Sequence, residues 1–183
     1  MKSLSIAALL AAFLAVAAPA RAELFSAGAT DLAAETAAAA REGKQLAVLF
    51  EQEDCDACKK LKKTVLSDKA TERLFGRNYR TISVNLTKES DITLPDGKTQ
   101  SPKAWAGRLR IVGTPAIAFF DNSGQLLYRH VGAPADSQEF VLLGRYVANA
   151  EYEKRPFVSY LSAQRLGNRA SVIGKGEICH TPS

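Results

Sequence analysis

The chain is 183 residues long, enough for one domain with a buried core, and no stretch rich in Pro, Ser and Gly divides it. Its formal charge of +5 is mild and dispersed, which excludes a nucleic-acid partner. Of three cysteines, two stand as Cys55-Asp56-Ala57-Cys58; this is not a stapling framework but a redox motif or half of a metal site.

Met1-Lys2-Ser3 and the apolar run Leu4 to Ala18 read as the n- and h-regions of an export signal, with Ala20-Arg21-Ala22 as its cleavage site. The run is Ala-rich, short for a bilayer span, and has no cysteine near its end to carry a lipid anchor. Residues 1–22 are therefore expected to be removed. The product is a periplasmic chain beginning near Glu23, with a formal charge of +3 because Lys2 and Arg21 leave with the leader.

Asp31 to Arg41 is an Ala-dominated run with Asp31 as cap and Gly43 as stop, which predicts a helix. Leu46 to Phe50 is a nearly continuous apolar run of the kind buried on both faces, hence a central strand. It leads into the acidic turn Glu51-Gln52-Glu53-Asp54. After Cys58, Leu61 and Val65 recur at helical spacing while Lys59, Lys60, Lys62 and Lys63 point elsewhere. The motif thus occupies a strand-to-helix junction.

A second helix is expected over Asp68 to Phe75, then a half-buried strand over Arg80 to Leu86, where Ile82, Val84 and Leu86 alternate with smaller polar residues. Thr87 to Gln100 is polar, carries the turn Pro95-Asp96-Gly97, and reads as a surface loop. Ser101 then caps and Pro102 opens a short helix, Lys103 to Arg110, with Trp105 in its core face. Ala116 to Phe120 and Gln125 to Val131 flank the hairpin signal Asp121-Asn122-Ser123-Gly124. His130 reads as an exposed or satisfied histidine rather than a ligand. The last strong helix opens at Asp136-Ser137-Gln138-Glu139 and carries Phe140, Leu143 and Val147 on one face. Past Leu161 the pattern fades, which predicts a polar, flexible tail over 162–183 and a domain over 23–161.

A thiol attacks a disulfide only as its thiolate, which unpaired N–H groups at a helix start stabilise. Cys55 stands at such a start, and Cys58, one turn on, can attack a mixed disulfide formed on Cys55 and release the partner. The two sulfurs carry the electrons, so no bound cofactor is expected.

These residues, with Val112-Gly113-Thr114-Pro115 ahead of a strand, resemble the thioredoxin family over about 45–161. The resemblance implies an α/β thioredoxin fold, a central mixed β-sheet flanked by helices, here with an N-terminal helical extension. It also implies that Cys55 and Cys58 are catalytic, that Pro115 is cis beside the disulfide, and that Thr114 offers backbone hydrogen bonds to a bound substrate chain. Within the family the chain is most similar to exported proteins associated with sulfur-oxidation systems and to the C-terminal domain of the transmembrane thiol reductant relay. The likeness lies in Leu61-Lys62-Lys63-Thr64-Val65-Leu66-Ser67-Asp68, in the Pro95-Asp96-Gly97 insertion and in Phe119-Phe120-Asp121. Such relatives are kept reduced by an inner-membrane thiol electron donor and in turn reduce a client protein that carries a disulfide or reactive cysteine.

The chain departs from the family in three places. Asp54 replaces the aromatic residue common before the first cysteine, Asp-Ala replaces the usual pair between the cysteines, and Leu49 stands where thioredoxins often bury an aspartate. Glu51 is the candidate substitute for that proton acceptor. Glu51, Glu53, Asp54 and Asp56 disfavour a Cys55 thiolate while the helix start, Lys59 and Lys60 favour it. A less stabilised thiolate means a more reducing couple, so a reductase or relay role is expected.

Other functions fit the residues less well. A soft-metal module would use Cys55, Cys58 and a histidine such as His180, but there is no second C-x-x-C, neither histidine has a partner one helical turn away, and Lys59 excludes the haem pattern C-x-x-C-H. Reduction of apocytochrome cysteines before haem attachment is the alternative within the redox class, and a chaperone-like domain would not need both thiols. Cys179 is a third thiol, either for an intermolecular bridge or incidental.

Overall fold

The computed structural model describes residues 23–25, 28–88 and 90–173. The leader 1–22 and the Cys179-His180 pair lie outside them.

Helix α1 (Leu32–Arg41) starts where Asp31 accepts a hydrogen bond from the Ala34 N–H, as the capping pattern requires, and the chain turns out of it at Gly43 with φ +65°. Strand β1 (Gln45–Glu51) follows, then α2 (Asp56–Leu61), a π-helical turn over Lys62–Leu66, α3 (Lys69–Asn78) and β2 (Tyr79–Asn85). The extra residue in the π turn lets two consecutive side chains, Val65 and Leu66, both face the core. Next come β3 (Ile92–Thr93), β4 (Thr99–Gln100), α4 (Pro102–Arg108), β5 (Ala116–Phe120), β6 (Leu126–Val131), α5 (Ser137–Ala148) and α6 (Phe157–Ile173).

The main sheet has the order β2-β1-β5-β6, with β1 parallel to β2 and the remaining pairs antiparallel. Period-two alternation divides its side chains between two cores. Ala47, Leu49, Ile117 and Phe119 meet α3, α5 and α6 on one face, whereas Leu46, Val48, Phe50, Ala118 and Phe120 meet α1 and α4 on the other. The continuous apolar run in β1 is explained by this: five consecutive residues are buried because both faces are covered. At the crossing of α3 and α5, Gly144 lets the helices approach, and the buried Tyr79 hydroxyl donates to its carbonyl at 2.6 Å. Burial pushes that phenol far above its ordinary pKa.

The structure corrects three expectations. Thr87 to Gln100 is not wholly a loop: β3 and β4 pair across Pro95-Asp96-Gly97, because Ile92 and Leu94 are apolar enough to bury. The helix opened by Pro102 stops at Arg108 rather than Arg110, since Arg110 turns to φ +54°. Of the tail expected over 162–183, residues 162–173 are helical, continuing α6, and 174–183 lie outside the described residues. That helix is held at its start by Phe157 and Tyr160 against Tyr146, and later by an Arg165–Glu139 ion pair at 2.9 Å. Its anchors are aromatic contacts from other elements, which leave little periodic trace. Among the described residues, no helix is long and apolar enough to cross a membrane.

Candidate active site

Strand β1 ends at Glu51, and the exposed turn Gln52-Glu53-Asp54 carries the chain to Cys55, which takes an extended conformation and caps α2. Its sulfur accepts the Cys58 N–H at 3.1 Å, a bond that would hold negative charge on that sulfur. Cys55 and Cys58 are joined as a disulfide, with Cα atoms 5.2 Å apart. Both are largely enclosed, Cys55 at 8% exposure and Cys58 at 2%, so the first cysteine is the more open to an incoming partner.

The other wall is the loop between α4 and β5. Ile111 is buried and its N–H donates to the Ala106 carbonyl at 2.9 Å, which pins the loop at one end. At the other end, Ala116 pairs with Phe50 across the sheet, and the Pro115 carbonyl accepts the Gly132 N–H at 2.9 Å. The register therefore sets Pro115 beside the end of β1, where the acidic turn begins. The Thr114–Pro115 peptide is cis. Thr114 Oγ1 lies 3.6 Å from Cys55 Sγ and 3.4 Å from Gln52 Oε1. Four residues singled out in the sequence, Cys55, Cys58, Thr114 and Pro115, are thus brought together from segments some sixty positions apart.

The charges around the motif sort into pairs the sequence does not announce. Glu51 accepts Lys62 Nζ at 2.6 Å with both side chains partly shielded from solvent, and Lys62 stands one helical turn beyond Cys58. Asp56 and Lys59, both exposed, approach to 3.6 Å. Leu49 is fully buried among apolar neighbours, so no carboxylate occupies that position in the core. Trp105 is buried against Phe50 and Phe120 as expected of a core residue. His130 is half-buried edge-on to Phe157 at 5.8 Å, and burial holds its pKa below the usual histidine value although the Glu139 carboxylate pulls it upward. Among the described residues, no three His, Cys, Asp or Glu side chains gather as metal ligands.

The sequence does not single out Gln52 beside Thr114 or the pairing of Lys62 with Glu51. Lys62 could have been found from its i+4 spacing to Cys58; Gln52 carries no such signal.

A family model described as a thioredoxin-like domain matches residues 32–148. Comparison with curated proteins finds no match. Among solved structures, the chain is similar to a thioredoxin from Thermus thermophilus at 26% identity and TM-score 0.51, covering 67% of this chain and 87% of that one. It is similar to a thioredoxin-fold protein from Helicobacter pylori at 18% identity and TM-score 0.56, covering 67% and 84%. The Neisseria meningitidis DsbD C-terminal domain in its oxidised form aligns more distantly, at 15% identity and TM-score 0.48, covering 63% of this chain and 90% of that one.

Proposed function

Because the chain belongs to the thioredoxin-like domain family, we propose that it is a periplasmic thiol–disulfide oxidoreductase that reduces a client protein. The observation that carries this reading is the Cys55–Cys58 disulfide at the start of α2, with Cys55 Sγ held between the Cys58 N–H and the Thr114 hydroxyl.

In the reduced protein the Cys55 thiolate attacks one sulfur of a client disulfide. The client S–S bond breaks as the Cys55–client bond forms, and the departing client sulfur takes a proton from water. Cys58, one turn along α2, then gives up its proton and attacks Cys55 Sγ, expelling the second client sulfur as a thiol. The protein ends as the disulfide and the client as a dithiol, two electrons having passed to the client. Thr114 and Pro115 line the approach, where an extended client chain finds backbone partners. An inner-membrane thiol donor returns the protein to its dithiol form, and the leader-like residues 1–22 support export to the compartment where that donor acts.

The exposed carboxylates of Glu53, Asp54 and Asp56 beside Cys55 disfavour its thiolate, which supports a reductase or relay direction rather than disulfide donation. The sequence likeness to proteins associated with sulfur oxidation and to the membrane reductant relay points to one dedicated client. Titration of the Cys55–Cys58 couple against a defined thiol buffer, read by alkylation, tests the direction. A potential near thioredoxin's, about −270 mV, supports the reductase; one near about −120 mV makes the protein a disulfide donor and overturns it.

A further inference from the structure

Two features around the site have no part in holding the fold: exposed apolar residues on the loop side and exposed carboxylates on the motif side. On the loop side, Val112 is 89% exposed although its neighbour Ile111 is buried, and Val131, 41% exposed, sits opposite Ala116 directly after Pro115. A lone exposed valine needs no explanation, but these two border the loop whose Thr114 hydroxyl reaches Cys55 Sγ at 3.6 Å. On the motif side, Glu53, Asp54 and Asp56 are exposed, and only Asp56 is offset, by Lys59 at 3.6 Å. Among the described residues Glu53 and Asp54 form no ion pair. Of the nearby lysines, Lys59 is engaged by Asp56 and Lys62 by Glu51.

We propose that this two-sided rim selects the client: an extended protein segment whose disulfide-bonded cysteine carries a basic residue on one side and an apolar residue on the other. The inference rests on the exchange reading of Cys55 and Cys58 and adds the chemistry of what they meet. The basic residue lies against Glu53 and Asp54, the apolar one against Val112 and Val131, and the client cysteine between them reaches Cys55 beside Thr114. Unpaired carboxylates around a partly enclosed sulfur attract a cationic segment before contact, and so act on the rate of encounter; the valines act after contact, by excluding water.

The test uses the reduced mature protein and two disulfide-containing peptides, identical except for lysine or glutamate next to the cysteine, with second-order exchange rates followed by stopped flow at low and high salt. The lysine peptide is expected to react about tenfold faster at low salt, with the advantage shrinking at 0.5 M salt where the screening length falls to a few ångströms. Glu53→Lys with Asp54→Lys should reverse the order, after correction for any change in Cys55 reactivity toward neutral iodoacetamide. Val112→Ser should slow both peptides alike and leave the salt response unchanged. Equal rates for the two peptides at low salt, or an order unmoved by the charge reversal, overturn the rim as selector while leaving exchange intact. Absence of exchange with either peptide overturns the oxidoreductase reading itself.

Discussion

The Thr114 hydroxyl reaches Cys55 Sγ at 3.6 Å from a loop 59 residues further along the chain. The same hydroxyl lies 3.4 Å from Gln52 Oε1, and its single proton can serve only one of the two acceptors. Once Cys55 is a thiolate, its charge makes it the better acceptor. Thr114→Val should therefore raise the pKa of the Cys55 thiol by up to about one unit, the scale of a hydrogen bond to a charged group. Thr114→Ser should restore it. The pH dependence of Cys55 alkylation reads this directly, and a profile unchanged in Thr114→Val would remove the hydroxyl from the account.

Glu51 and Lys62 form a 2.6 Å pair that remains partly open to water, so its contribution to stability is small, within about 1 kcal/mol. Lys62 stands one turn beyond Cys58, which makes its partner Glu51 the candidate to take the Cys58 proton when the mixed disulfide is resolved. Glu51→Gln should leave the urea midpoint close to the parent's while lengthening the life of a Cys55–client mixed disulfide several-fold, most strongly below neutral pH. If mass spectrometry finds that lifetime unaltered, Glu51 is only a surface partner of Lys62.

Burial against Phe157 holds the His130 pKa below its ordinary value of 6.5. The unfolded chain then takes up this proton first as pH falls. Stability from the neutral imidazole is complete above about pH 6.5 and is lost progressively below it, until the folded state also binds the proton. Glu42, Asp96, Asp121 and Glu151 have carboxyl pKa values below their ordinary 3.8 to 4.5, so they titrate in a more acidic window. Urea midpoints are expected to fall between pH 7.5 and pH 5.5, and His130→Gln should flatten that slope. An equally steep slope in the variant would assign the effect elsewhere.

A methyl group on Gly144 would meet Leu74 Cδ2 at 2.8 Å and Phe75 Cε2 at 3.0 Å. Leu74 can move, but Phe75 is stacked on Phe140 at 4.3 Å and packed by Tyr79 and Phe119, so it cannot. Overpacking of this kind costs about 1–3 kcal/mol, against a gain of about 1 kcal/mol from replacing glycine inside a helix. With Phe75 unable to move, the cost lies at the upper end of that range, and Gly144→Ala should destabilise the protein by up to about 2 kcal/mol in urea unfolding. A variant as stable as the parent would mean that α3 and α5 can separate at no cost.

Much of the fold is legible because its determinants are local. Asp31, Ser101 and Asp136 cap the helices they precede, the hairpin turn at Asp121 to Gly124 joins β5 to β6, and the buried run of β1 is five apolar residues long. What the sequence hides is decided by partners far along the chain. The β3–β4 hairpin and α6 exist because Ile92, Leu94, Phe157 and Tyr160 find apolar neighbours on other elements, and no local period reports that.

The candidate site divides in the same way. Cys55 and Cys58 declare themselves by spacing, since three residues at a helix start bring two sulfurs within bonding reach, and sequence alone determines that much. Only the tertiary structure decides what faces them. The Phe50–Ala116 register sets Pro115 and Thr114 against the turn after β1, the buried Ile111 leaves Val112 outward, and the i+4 position of Lys62 lets it meet Glu51. Spacing along one helix is fixed by its rise per residue, whereas contacts between segments depend on how sheet pairing and core burial bring them together.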